Sequence, residues 1–132
     1  MLTTIGAAIK ARLESLSLFN IVEQGFSKRA LSTPPSAVFF LAADRRVQES
    51  PYVVRELEWH VALLVSYLDP AKAHPAMDDR LDAVRKLFVG WVPTAAGSKP
   101  TVVGDIRFEA AEDTLLIYTV PLTLTVMPEQ IV

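Results

Sequence analysis

The chain has 132 residues, 51% of them hydrophobic and 21% charged, with a formal net charge of -2. That length suits one domain, residues 1–132, with a single real core, and the absence of cysteine excludes disulfides, thiolate metal sites and cysteine nucleophiles together. No cluster of lysine and arginine marks a nucleic-acid groove, and a mean hydropathy of +0.29 points either to an unusually full core or to apolar surface covered by other subunits.

The start, Met1-Leu2-Thr3-Thr4, lacks the basic region and apolar core of a signal peptide. The most apolar stretch, residues 61–68, is too short to span a bilayer and follows Arg55, Glu56, Glu58 and His60. No membrane association is expected.

In chain order, Thr3 or Thr4 is placed to cap a first helix, whose stripe of Ile5, Ala8, Ile9, Arg12, Leu13 and Leu16 repeats at three-four spacing and ends near residues 15–17. Residues 18–22 read as a short strand stopped by Gly25, and residues 26–31 as one helical turn. Thr33-Pro34-Pro35 then breaks regular structure. The apolar run Ala37-Val38-Phe39-Phe40-Leu41-Ala42 predicts a strand buried on both faces, ended by a polar turn at Asp44-Arg45-Arg46.

Residues 52–68 fit two patterns. As a strand, Val53, Leu57, Trp59, Val61, Leu63, Val65 and Tyr67 share one face and Glu56, Glu58 and His60 the other. As a helix, Val54, Leu57, Val61, Leu64 and Leu68 make a stripe. The β-branched and aromatic content favours the strand.

Pro75 suits the first position of a second long helix, with Asp78 and Asp79 in its first turn, Arg85 and Lys86 in its last, and Met77, Leu81, Val84 and Phe88 buried. Gly90 is placed for a left-handed cap. After the loop at residues 93–100, residues 102–108 alternate as a strand and residues 110–113 turn the chain into a last one. There Leu116, Tyr118, Val120, Leu122, Leu124 and Val126 face one way, and Ile117, Thr119, Pro121, Thr123 and Thr125 the other. Pro121 predicts an edge or bulge within that strand. The order α-β-β-β-α-β-β predicts an α+β domain: an antiparallel (mixed) sheet of about five strands with two main helices packed on one face.

Chemistry is sparse. His60 and Glu58 share a face if residues 52–68 are a strand, but no third ligand at recognisable spacing accompanies them, so a solvated strand face is the plainer expectation. His74 reads as a surface residue in a connection. Asp78, Asp79 and Asp82 could suggest a carboxylate cluster for a divalent cation, but the helix dipole explains the first two without a metal. The candidates for partner contact are Arg45 and Arg46, suited to a carboxylate or phosphate, Trp91 with Pro93, which either staples the helix end to the sheet or anchors an interface, and Lys99 in the following loop. There is no phosphate loop, serine elbow or zinc spacing.

The stretch Leu81-Asp82-Ala83-Val84-Arg85-Lys86-Leu87-Phe88-Val89-Gly90-Trp91-Val92-Pro93, followed by a polar loop, Val103-Gly104 and an alternating strand, resembles small tail proteins of long-tailed phages. These are the tail-terminator or tail-completion proteins, the class that includes the phage lambda U protein, and their relatives in Mu-like prophages. Many begin with a helix like residues 5–16 and carry the same Gly-Trp-x-Pro phrase before the last hairpin. The resemblance covers the order of elements over most of the chain, and its specific part is about a dozen residues.

It implies a structural virion subunit, not an enzyme and without a cofactor, that assembles in the host bacterial cytoplasm into a homo-oligomeric ring, a hexamer. Such a ring caps the tail tube, stops its growth and joins it to head-completion proteins. Two other readings stand beside it: a small α+β enzyme with Glu58 and His60 in its cleft, and an interaction module that pairs sheet edges.

Overall fold

In the computed structural model, which describes residues 2–49, 53–93, 99–112 and 114–126, the chain runs α1 (Leu2–Ser15), β1 (Ile21–Gln24), α2 (Lys28–Ser32), β2 (Ser36–Gln48), β3 (Val54–Ser66), α3 (Pro70–Phe88), β4 (Val102–Val103), β5 (Arg107–Glu112) and β6 (Leu115–Val126). The strands form one mixed six-stranded sheet in the order β1-β2-β3-β6-β4, with β5 pairing β6 as well. Only β1 and β2 are parallel, joined by the crossover that contains α2. The α+β architecture agrees with the sequence pattern. The sixth strand arises because the strand expected over residues 102–108 is split into β4 and β5.

β3 lies at the centre, paired with β2 on one side and β6 on the other. This pairing resolves the ambiguity of residues 52–68 in favour of a strand. Leu57, Trp59, Val61, Leu63 and Val65 are buried with Ile5, Ile9 and Leu13 of α1 and with Met77, Leu81, Val84 and Phe88 of α3. Both long helices therefore cover one face. At roughly 1.5–3 kcal/mol for each fully buried large side chain, this layer dominates the stability of the molecule. Ala30 of α2, with Val38, Ala62 and Leu64, forms a smaller cluster against Ile21, Leu115 and Ile117. That cluster covers one end of the opposite face and leaves its remainder open.

Three expectations are corrected. α1 already begins at Leu2, so Thr3 and Thr4 lie inside its first turn. The helix expected from Pro75 begins at Pro70, where Asp69 caps it by accepting from the Ala71 amide at 3.1 Å. Pro75 is thus inside α3, Asp78 and Asp79 fall past its first turn, and His74 sits on the helix instead of in a connection. The basic end is as expected: Arg85 and Lys86 occupy the last turn and Gly90, at φ +73°, follows in the left-handed region.

Asp44, Arg45 and Arg46 do not turn the chain. β2 continues through them to Gln48, because β3 offers matching charges across the ladder. Arg45 pairs with Glu56 at 2.8 Å, and Arg55 donates from Nε to Asp44 at 2.9 Å. Two bulges, between Leu41 and Ala43 and between Arg46 and Gln48, bend this arm.

Pro121, as expected, falls where one side of its strand is open. β6 has neighbours on both sides, and Pro121 falls at the interruption between β4 and β5. Its carbonyl accepts from the Gly104 amide at 2.9 Å. In an extended strand a residue's N and O project to the same side, so the donor that Pro121 lacks would have faced this gap, where no ladder partner stands.

Candidate functional site

The open part of the second face is built by alternation on four strands, β2, β3, β6 and β5. Glu56, Glu58 and His60 project from β3 on the side opposite α1 and α3. The register sets Arg45 beside Glu56, Phe40 beside His60, Thr123 beside Glu58, and Arg107 of β5 beside Thr119 of β6. A bulge in β5 sets both Glu109 and Ala110 against Ile117, and Glu109 joins this face.

A line of contacts runs through it. Phe26 and Phe40 have ring centroids 6.0 Å apart, and Phe40 meets His60 edge-on at 5.5 Å. His60 Nε2 is 2.7 Å from Glu58 Oε2, and Arg45 reaches Glu58 at 3.5 Å as well as Glu56. The carboxylate can only accept, so His60 donates from Nε2. The hydrogen bond from His60, opposed by partial burial and reinforced by Arg45, holds Glu58 below the ordinary carboxylate range.

Two concavities meet at His60. One, of about 210 Å³, is lined by Glu58, Asp105, Arg107, Glu109 and Thr123. The other, of about 400 Å³, is lined by Phe26, Phe40 and Ile117. His60, Glu109 and Thr119 border both. Glu56, Glu58 and His60 thus share a partly exposed strand face, as expected, and beside Glu58 and His60 that face is hollowed into one groove, polar at one end and apolar at the other. Thr119 is 6% exposed, and among the described residues its hydroxyl has no hydrogen-bond partner. Among the described residues there is no group of three His, Asp or Glu side chains arranged to hold a metal ion. Chemically, the groove offers an imidazole oriented by a carboxylate, one hydroxyl open to the groove, and carboxylates and the Arg107 guanidinium at the rim.

Sequence reasoning found Glu58 and His60 but missed Asp105, Arg107, Glu109, Thr119, Phe26 and Phe40. The alternation of residues 102–108 hinted that Asp105 and Arg107 share a face. Only the pairing of β5 and β3 on opposite sides of β6 brings them to His60.

The residues expected to meet partners divide differently. Arg45 and Arg46 lie on the β2 arm, Arg45 in the network just described and Arg46 3.8 Å from Glu49. Lys99 is exposed, and its amide donates to Thr125, which stands beside Glu56 in the ladder. One row across the end of the sheet therefore runs Lys99, Thr125, Glu56, Arg45. Trp91 is used within the chain: it packs on Phe88, its carbonyl accepts from the Thr101 amide and hydroxyl, and Arg12 lies over its ring. Pro93 is buried beside it in sequence, while Val92 between them is exposed.

No protein-family model matches the chain, and no curated protein matches it either. No helix among the described residues is long and apolar enough to cross a membrane.

Proposed function

We propose that this chain is a ring-forming structural protein of a phage or prophage tail, a terminator or completion subunit that caps the tail tube and joins it to the head. The observation that carries the reading is the state of the two lateral edges of the sheet. β1 covers β2 only over residues 36–39. Beyond this, residues 40–47 of β2 have no strand partner on their outer side among the described residues. At the opposite side, β4 and β5 pair only with β6. Each edge carries exposed apolar side chains: Val47 at 54% on one, Val102 at 62% and Phe108 at 57% on the other.

A closed ring of identical subunits needs two different, complementary patches on each copy, and two dissimilar open edges supply them. The bulges and charges of the β2 arm discourage indiscriminate pairing and leave room for a selective contact. The order of elements and the Gly-Trp-x-Pro phrase at residues 90–93 support the same reading through the resemblance described above.

In this reading the chain is not an enzyme and needs no cofactor. It forms a hexamer, and its further partners are the tail tube protein and a head-completion protein within the virion tail. The end of the sheet marked by Arg45, Arg46 and Lys99, next to the Trp91–Pro93 segment, is the part assigned to those partners. Electron microscopy of the purified chain tests it: annuli with a central hole are expected, and a monomer that stays monomeric with tail tube protein present overturns it.

One observation favours a second reading. Glu58, His60 and Thr119 converge on one concavity, as a small α+β hydrolytic enzyme would require. Turnover of simple ester substrates that disappears in His60→Asn would establish it.

A further inference from the structure

The strand registers line residues up in rows that cross the whole sheet. One row runs Arg107, Thr119, Ala62, Val38, Glu23, from β5 at one lateral edge to β1 at the other. The two beside it run from Phe108 to Val22 and from Ala110 to Ile21. Arg107 makes no ion pair among the described residues, and Phe108 is 57% exposed. Glu23 accepts from the Ser27 hydroxyl with one oxygen, while the cation nearest the other among the described residues is Arg29, 3.7 Å away and itself 77% exposed.

β5 pairs only with β6, and β1 only with β2, so each has one side without a strand partner among the described residues. Beside β1 that side is open. A cleft of about 230 Å³ is lined by residues 20–23, by Lys10 and Glu14 of α1 on one face and by Arg29 of α2 on the other, and so passes round the outer edge of the strand. Strand polarity agrees. β1 runs with β2, and β2, β3, β6 and β5 then alternate, so β5 is antiparallel to β1. Two copies the same way up therefore present antiparallel edges to each other, with the helices of both on one side of the joined sheet.

We propose that β5 of one copy adds to the outer edge of β1 of a second copy, so that the sheet continues from subunit to subunit. Continuing the rows sets Arg107 of one copy beside Glu23 of the next, Phe108 beside Val22, and Ala110 beside Ile21. Opposite charges meet on one face and apolar side chains meet on both. The proposal rests on the head-to-tail assembly put forward above and names the strands that meet in it.

Disulfide trapping tests it, since the chain has no cysteine of its own. Glu23→Cys and Arg107→Cys are placed in one chain. Within a copy the two positions lie four strand spacings apart, about 19 Å, too far for a disulfide, so any bond joins two copies. Mild oxidation should give a ladder of linked species on a non-reducing gel. Neither single variant should do so, nor should Val47→Cys combined with Arg107→Cys. As an independent readout, Arg107→Glu should weaken association roughly tenfold, and adding Glu23→Arg should recover most of the loss. The pairing is overturned if the cysteine pair gives no ladder, if Arg107→Cys alone or the Val47 combination links as well, or if the charge swap recovers nothing.

Electron microscopy of the oxidised samples keeps the two ideas apart. Annuli without the cross-link remove the strand pairing and leave the ring, whereas cross-linked open fibres leave the pairing and remove the ring.

Discussion

Arg12 of α1 lies over the indole of Trp91, its guanidinium carbon 5.1 Å from the ring centroid, and donates to the Leu87 carbonyl at 2.7 Å. One side chain thereby fastens the end of α1 to the C-terminal turn of α3. Trp91 completes the clasp by packing edge-on against Phe88 at 5.5 Å. Arg12→Gln should cost about 1–2 kcal/mol, from one long-range hydrogen bond and one cation–π contact. Trp91→Ala should cost about 2–3 kcal/mol, less than a core tryptophan because the ring is half-buried. Urea unfolding measures both. If Trp91 were chiefly an interface anchor, its loss would spare the folding midpoint and abolish assembly.

The start of α3 yields a second pair of outcomes. Asp69→Ala removes the side chain that accepts from the Ala71 amide and should cost about 1 kcal/mol. Pro75→Ala restores a donor within the helix and should stabilise the protein. Were Pro75 the first helical residue, its replacement would be close to neutral. Thermal melts of the two variants distinguish the alternatives.

Acid stability should depend on Glu58. The hydrogen bond from His60, with a smaller contribution from Arg45, lowers the Glu58 carboxyl from its ordinary value of 4.5. Because the folded value lies below the unfolded one, the stabilisation is fully present above 4.5 and is lost as pH falls through the folded value. Asp44, held down chiefly by its hydrogen bond with Arg55, behaves in the same sense. Chemical unfolding at a series of falling pH values should therefore show Glu58→Gln below the parent at neutrality and converging with it in acid. Parallel curves over the whole range would contradict this.

What could be read before folding followed from local physics. β6 announces itself through Leu116, Val120, Leu122 and Leu124, because α1 and α3 cover only one of its faces. The β2 arm did not, since Asp44-Arg45-Arg46 after an apolar run has the chemistry of a turn until Arg55 and Glu56 are set across from it. The cap at Asp69-Pro70 was written locally but overshadowed by Pro75, which has the same preference for a helix start. The groove was hidden for a third reason. Thr119, Arg107 and His60 belong to three strands, and no spacing along the chain reports that β6 stands between β5 and β3.

The two edges of the sheet carry the central claim. Val47 and Phe108 are both more than half exposed, so Val47→Lys and Phe108→Lys should each shift folding stability by less than about 0.5 kcal/mol. Each should nevertheless block assembly, because each spoils a different half of a head-to-tail contact.

The most direct measurement is the mass of the particle in solution by analytical ultracentrifugation, taken for the parent chain, for each variant alone and for the two variants mixed. A closed oligomer for the parent, and species no larger than a dimer for the variants and their mixture, is the predicted result. A parent chain that sediments as a monomer at every concentration, or variants that assemble as well as the parent, would contradict the ring.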